Sequence, residues 1–250
     1  TSAILGVHLF GNPAAARELE AIARRARVRL IFDAAHAFGA RIEGTPVGAF
    51  GDAEVFSLSP TKPLVAAEGG LVATRHATLA RDLRAARNYG HSGDYDCRLL
   101  GLNARMTELE AALALASLPL VEPHLERRER LAQLYEQYLG EEPGLDLQRL
   151  GPQDRSSRKD FSIVVDGARF GVSRHLLAAA LEMENVPLRR YFDPPLHRQR
   201  LYRRYYRPRR DALETTERIS RGVLSLPIYS QMSEDDVARI AGRILDIRDW

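Results

Sequence analysis

Short apolar runs alternating with an amphipathic helix in the first 75 residues restrict the fold more than any other feature of the chain. Ala3 to Leu9 reads as a buried strand, and Gly11-Asn12-Pro13 turns the chain into a helix with Leu19, Ile22, Ala23 and Ala26 on one face. Val28 to Phe32 is the next apolar run and ends at Asp33; Ala53 to Ser57 and Gly69 to Thr74 follow as strands. Such β-α-β alternation predicts a mainly parallel sheet flanked by helices, an α/β fold. A sheet made only from this stretch has few strands and open edges, so a further segment or subunit is expected to complete it.

The texture changes after Thr74. Leu79 to Arg87 reads as a helix and Asn88 to Ala104 as a Gly- and Asp-rich loop. Met106 to Ala116 reads as a helix with Leu109, Leu113 and Ala116 inside. Pro119 and Pro123 are expected to break the chain before a charged helix from about Glu126 to Leu139. A polar linker, Gly151 to Asp160, leads to a smaller α+β unit. That unit holds strand Phe161 to Val165, a helix from Arg174 to Glu184 capped by Ser173, strand Val186 to Arg189, strand Val223 to Pro227 and a closing helix from Glu234 to Ile247. The expected division is 1–118 for the large domain and 119–250 for the small one, which includes the long linking helix.

Composition excludes several classes. One cysteine, Cys97, cannot make an internal disulfide. The longest nearly apolar run, Ala111 to Val121, falls well short of the roughly 20 residues a membrane helix needs. No charged-then-apolar leader opens the sequence, so a cytoplasmic protein is the default expectation. A net charge of +3 does not by itself imply nucleic acid. The stretch Arg189 to Arg210 carries nine arginines among five aromatics. Single-stranded nucleic acid, an anionic small ligand and plain solvated helix faces all fit that pattern.

Of 36 basic residues only Lys62 and Lys159 are lysines. A lysine amine can lose its proton and form a Schiff base, which a guanidinium cannot. Lys159, in a polar stretch, reads as a solvated surface lysine. Lys62 lies five residues past Ser57, which ends a strand, and Asp33 ends another. Ligand sites in α/β sheets form beyond the carboxyl ends of strands. An amine, a carboxylate and a hydroxyl there suit pyridoxal phosphate, whose aldehyde, ring nitrogen and phosphate each need one of them. Taken singly, Asp33 also reads as a helix cap, Ser57 as a buried hydroxyl and Lys62 as a turn residue.

The order Asp33-Ala34-Ala35-His36-Ala37-Phe38-Gly39-Ala40, Gly48-Ala49-Phe50-Gly51-Asp52, Phe56-Ser57-Leu58-Ser59-Pro60-Thr61-Lys62, Glu68-Gly69-Gly70, Arg87-Asn88-Tyr89-Gly90, Gly101 to Leu109 and Pro195-Leu196-His197 resembles the DegT/DnrJ/StrS family of nucleotide-sugar aminotransferases. The resemblance implies the fold-type-I pyridoxal-phosphate architecture and makes the chain look like the carboxy-terminal part of a longer enzyme, without the earlier phosphate-binding turn. It implies amino transfer, with glutamate or glutamine as donor, to a nucleotide-linked keto-sugar in antibiotic, lipopolysaccharide or cell-surface sugar synthesis. A non-catalytic module acting as partner or regulatory protein is the alternative. A dehydratase, the activity of relatives with His at the lysine position, is disfavoured by Lys62.

Residue by residue, Lys62 matches the Schiff-base lysine, Asp33 the acid at the pyridinium nitrogen and Ser57 a phosphate ligand. His36 matches the residue beside the ring near its phenolic oxygen. Asn103 and Arg105 match the loop that reaches the cofactor phosphate of a neighbouring subunit, which implies a homodimer with a shared site. Tyr191 and His197 match a segment bordering the substrate. No metal site, nucleic-acid partner or membrane partner is implied.

Overall fold

The computed structural model describes residues 1–208 and 212–248; Arg209 and Arg210 of the basic stretch lie outside them. Strand β1 (Ala3–Val7), helix α1 (Ala16–Ala26) and strand β2 (Arg29–Asp33) form the opening β-α-β unit. Ala16 and Ala23 bury the inner face of α1, whereas Ile22, expected on that face, is 41% exposed. Arg24 and Arg25 in its last turn complement the helix dipole. A two-residue hairpin, β3 (Arg41–Ile42) and β4 (Thr45–Pro46), then leads to β5 (Ala53–Ser57) and β6 (Gly70–Ala73).

The four long strands form one sheet in the order β1-β2-β5-β6. The first three run parallel and β6 runs antiparallel to β5. The reversal has a simple cause: residues 58–69 contain no helix, and a parallel return requires a crossover. Asp52 ties the amino ends of β2 and β5 together, accepting the Leu30 N–H at 2.8 Å and Arg29 Nη1 at 3.1 Å, with His76 Nε2 at 3.0 Å. The Leu30 N–H, then Arg29 and His76, hold its carboxyl below the ordinary value of 3.8 against a smaller opposing effect of burial. A carboxyl lowered by folding stabilises above its unfolded pKa and loses that contribution as pH falls through the folded value. Acid unfolding of the protein is therefore expected to be less steep below that ordinary value in Asp52→Asn, as denaturation midpoints against pH would show.

Helices α2 (Ala77–Ala86) and α3 (Glu108–Ser117) follow. Thr107 and Glu110 close a reciprocal capping box on α3, the Thr107 Oγ1 accepting the Glu110 N–H at 3.2 Å and the Glu110 carboxylate accepting the Thr107 N–H at 2.9 Å. Leu109 and Leu113, expected inside, are 84% and 43% exposed. Helix α4 (Val121–Leu139) starts earlier than its prolines suggested. Pro119 lies in a preceding 3-10 turn, and Pro123 sits in the first turn of α4, where its missing N–H costs nothing.

Two compact units result, one of residues 1–126 with 150–159, the other of 127–149 with 160 onward. The division falls after Glu126 instead of near Leu118 because Val121 and Leu125 pack with Leu58, Leu64 and Ala66 of the first unit. The stretch 151–160 read as a linker is not a solvated tether. Arg155 bridges Arg41, the Ser157 N–H donates to Gly11 O at 3.1 Å, and Ser156, Ser157, Arg158 and Lys159 are buried. Lys159, expected on the surface, is 9% exposed; its polar neighbours serve backbone groups of the fold rather than water.

The second unit has a three-stranded antiparallel sheet, β7 (Leu145–Leu147), β8 (Phe161–Val165) and β9 (Val223–Leu226), in that order. Helices α5 (Gly167–Phe170), α6 (Arg174–Met183), α7 (Glu214–Gly222) and α8 (Glu234–Arg248) complete it. Ser173 caps α6 as expected, accepting the Leu176 N–H at 3.2 Å. Ser173→Ala should lower stability by about 1 kcal/mol, read from a denaturant midpoint. Val186 to Arg189 is not a strand; only an isolated bridge joins Arg189 to Ser225. The core gathers Leu131, Tyr135 and Leu139 of α4, Phe161 and Ile163 of β8, and Leu177, Leu181, Ile240 and Ile244. Among the described residues no helix is long and apolar enough to cross a membrane.

Candidate functional site

Alternation along the strands of the first unit sorts their side chains onto two faces. Leu30, Phe32 and Phe56 bury one face against α1 and its neighbours. The opposite face stays open, with Leu5 68%, Ile31 37% and Val55 42% exposed. Parallel sheets are ordinarily covered on both sides, so an open apolar face next to a polar strand end is the unusual surface of this unit. Asp33 stands on that face at the carboxyl end of β2. It pairs in register with Val55, and Ser57 lies two residues further along β5 on the same side. Asp33 and Ser57 therefore share one face and one end of the sheet, about two residue rises apart along the strands.

Lys62 follows in the turn after β5, its N–H donating to Ser59 O at 3.0 Å, and its side chain is half-buried. Asp33 is exposed and accepts the Ala35 N–H at 3.0 Å through Oδ1, leaving lone pairs on the open face. Ser57 turns its hydroxyl toward Ser59, the two Oγ atoms 3.3 Å apart. Ser59 was not singled out from the sequence, although a second hydroxyl two residues past a strand end was there to be read.

His36 is fixed by its surroundings. Its Nδ1 accepts the Phe10 N–H at 3.2 Å, which leaves the ring proton on Nε2, and its carbonyl accepts the Ser157 hydroxyl at 2.5 Å. Gly11 permits this approach: at φ +90° it adopts a conformation other residues resist, and a Cβ there would lie 2.0 Å from Ser157 Oγ. Asn103 and Arg105 belong to a single exposed loop, bridged to Asn88, with Arg105 reaching Asn88 Oδ1 at 3.2 Å and stacking over Tyr89 at 5.1 Å.

In the second unit, Tyr191 packs against Phe192, ring centroids 5.0 Å apart. His197 is committed to Glu217, Nε2 to Oε1 2.8 Å, and Arg198 Nε joins the same oxygen at 2.5 Å. These two bonds hold the Glu217 carboxyl below the usual range, the His197 bond contributing most. Parts of the basic stretch are thus satisfied internally; Tyr205, 65% exposed, carries Arg204 at 4.8 Å.

A cleft of about 490 Å³ lies at the other end of the main sheet, lined by Glu20, Arg24, Arg29, Asp52, Arg75 and His76. It sits at the amino ends of β2 and β5, whereas ligands of such sheets bind beyond the carboxyl ends, and Asp52 and Glu20 already pair there with Arg29, His76 and Arg75.

The groups at the carboxyl ends are of the types pyridoxal phosphate needs: an amine for the aldehyde, a carboxylate for the ring nitrogen, hydroxyls for the phosphate. The architecture is the α/β fold of the fold-type-I pyridoxal-phosphate enzymes. It superposes on the solved structure of DesI in the presence of its TDP-sugar product with a TM-score of 0.91 and 37% identity, covering 99% of this chain and 62% of that one. For S. venezuelae DesV in complex with a ketimine intermediate the TM-score is 0.93, with 30% identity and coverage of 100% and 66%. The chain belongs to the DegT/DnrJ/EryC1/StrS aminotransferase family, whose sequence model matches residues 1–245. It is 35% identical over 246 residues to the UDP-N-acetyl-3-dehydro-alpha-D-glucosamine 3-aminotransferase of Acidithiobacillus ferrooxidans, covering 96% of this chain and 63% of that protein. The chain thus spans under two thirds of the length of that relative.

Proposed function

We propose that the protein is a pyridoxal-phosphate-dependent aminotransferase that moves an amino group, from glutamate or glutamine, onto the carbonyl carbon of a nucleotide-linked keto-sugar. The observation that carries this reading is the sharing of one face and one end of the sheet by Asp33 and Ser57, with Lys62 in the turn that leaves β5. Family membership and the nucleotide-sugar enzymes among the relatives support the substrate class.

Bound pyridoxal phosphate supplies an aldehyde that condenses with amines and a ring that stores electrons. Each residue then has a task. Lys62 Nζ would hold the cofactor covalently and would supply the amine able to take up and return a proton beside it. The Asp33 carboxylate would keep the ring nitrogen protonated. Ser57 would contribute a hydroxyl to the phosphate, and His36 would stand beside the phenolic oxygen. Asn103, with Arg105, would complete the phosphate site of a second copy in a homodimer. Tyr191 and His197 would border the sugar, His197 through the segment it anchors to Glu217.

Asp33 makes few structural contacts, so Asp33→Asn should keep the fold, as judged by thermal unfolding. Turnover should fall by about 10²–10³-fold, the cost typical of losing one preorganised electrostatic partner. Unchanged kinetics would remove Asp33 from this role. The function as a whole is tested by titrating the protein with pyridoxal phosphate and following the absorbance of the lysine-bound cofactor, which borohydride bleaches. Its appearance, followed by amine transfer from glutamate to a nucleoside-diphosphate keto-sugar, is the expected result. A protein that never develops the band is a non-catalytic module of the same fold.

A further inference from the structure

The apolar interior of the first unit contains one charged residue in mid-strand, Glu54 of β5, and it is fully buried together with His8, which is 1% exposed. His8 follows the last residue of β1, and β2 lies between β1 and β5, so the two side chains reach each other behind β2 on the closed face. His8 Nε2 lies 3.2 Å from Glu54 Oε2, and the imidazole stacks on Phe32 of β2, centroids 4.7 Å apart and planes at 21°.

The hydrogen bonds define the proton's position. His8 Nδ1 accepts the Ala14 N–H at 2.9 Å, so Nε2 carries the proton and donates it to Glu54. The other Glu54 oxygen accepts the N–H groups of Gly48 at 2.8 Å and Phe50 at 2.6 Å. The Glu54 carboxyl group therefore has three donors in a buried setting, an arrangement in which each partner is expensive to remove.

Both ends of this bridge bear on the open face. The His8 N–H donates to Asp33 O at 3.0 Å, and the Ala34 N–H donates to Val55 O, next to Glu54, at 2.8 Å. The connection that supplies Ala14 to His8 also supplies the Phe10 N–H that sets the tautomer of His36. We propose that His8 and Glu54 are a positioning pair that clamps the end of β2 from behind and so sets Asp33 and His36 for the cofactor ring. This rests on the function proposed above.

The test separates positioning from plain stability. His8→Asn keeps an acceptor for Ala14 but is too short for Glu54, whereas His8→Gln places an amide donor near the position of Nε2. In titrations with pyridoxal phosphate, His8→Asn should raise the dissociation constant about tenfold in the Asp33 background and less than about twofold in Asp33→Asn, since coupled residues are not additive. His8→Gln should restore binding to within about threefold of the unsubstituted protein, the range expected when a single neutral hydrogen bond is retained with imperfect geometry. If His8→Asn does not fold, Phe32→Leu, which removes the ring His8 stacks on, must show the same dependence on Asp33. Equal weakening in both backgrounds, or unaltered binding, overturns the positioning role while leaving the proposed function standing. No cofactor band in the unsubstituted protein overturns both.

Discussion

Lys62→Ala should abolish amino transfer. Removal of the amine takes away the covalent attachment and the proton carrier together, and general acid–base transfer alone is worth about 10²–10⁴-fold. Lys62→Arg is the informative companion. It keeps a cation at the turn after β5, but a guanidinium neither condenses with an aldehyde nor gives up its proton at neutral pH. Both variants should be inactive and both should fold, because Lys62 is only half-buried in its turn. Activity in the Arg variant would mean that the site uses the charge of Lys62 and not its nucleophilic nitrogen. A free lysine amine has a pKa of about 10.4, so the chemistry also requires a site that favours the neutral form once the donor has displaced it.

The second large effect concerns stability. Tyr135 of α4 is fully buried, stacks on Phe161 with centroids 4.9 Å apart, and donates its hydroxyl to Pro227 O at 3.1 Å. Burial pushes its phenol well above the ordinary range. Tyr135→Ala should cost about 3–5 kcal/mol, as large-to-small changes of buried aromatics do. That corresponds to a fall in melting temperature of roughly 6–20 °C for a chain of this size. Tyr135→Phe keeps the stack and loses one hydrogen bond, so about 0.5–1.5 kcal/mol is expected. Calorimetry of the pair separates packing from hydrogen bonding; equal losses would mean that the hydroxyl, not the ring, dominates.

Much of the fold is written in periodicity. The apolar runs at Ala3, Val28, Ala53 and Gly69 become the four strands of the main sheet, and Ser173 caps the helix its spacing announced. Local pattern could not reveal where a surface finds its cover. Leu109 and Leu113 have helical spacing, which shows that they share a face but not what lies against it; in this unit they face outward. The stretch 151–160 is polar because it satisfies backbone groups of the first unit. Composition does not distinguish that use from solvation, and Lys159 shares the ambiguity. Pro123 shows the same limit, since a proline in a first turn and a proline that ends a helix look alike until the boundary is known.

The candidate site was legible as chemistry. Scarcity of lysine, and strand ends at Asp33 and Ser57, singled out its residues; register then put Asp33 and Ser57 on one face. The pair behind them was harder to see. A glutamate inside Ala53-Glu54-Val55-Phe56 breaks an otherwise apolar strand, and that interruption was the available signal. Its meaning depends on His8, 46 residues away, and on the strand between them.

With just two lysines in the chain, attachment of the cofactor can be mapped without ambiguity. The protein is incubated with pyridoxal phosphate, reduced with borohydride and digested, and the peptides are weighed. A stable phosphopyridoxyl increment on the peptide containing Lys62, with Lys159 unmodified, is the predicted result; labelling at Lys159 instead, or at neither, would contradict the assignment of Lys62 as the residue that holds the cofactor.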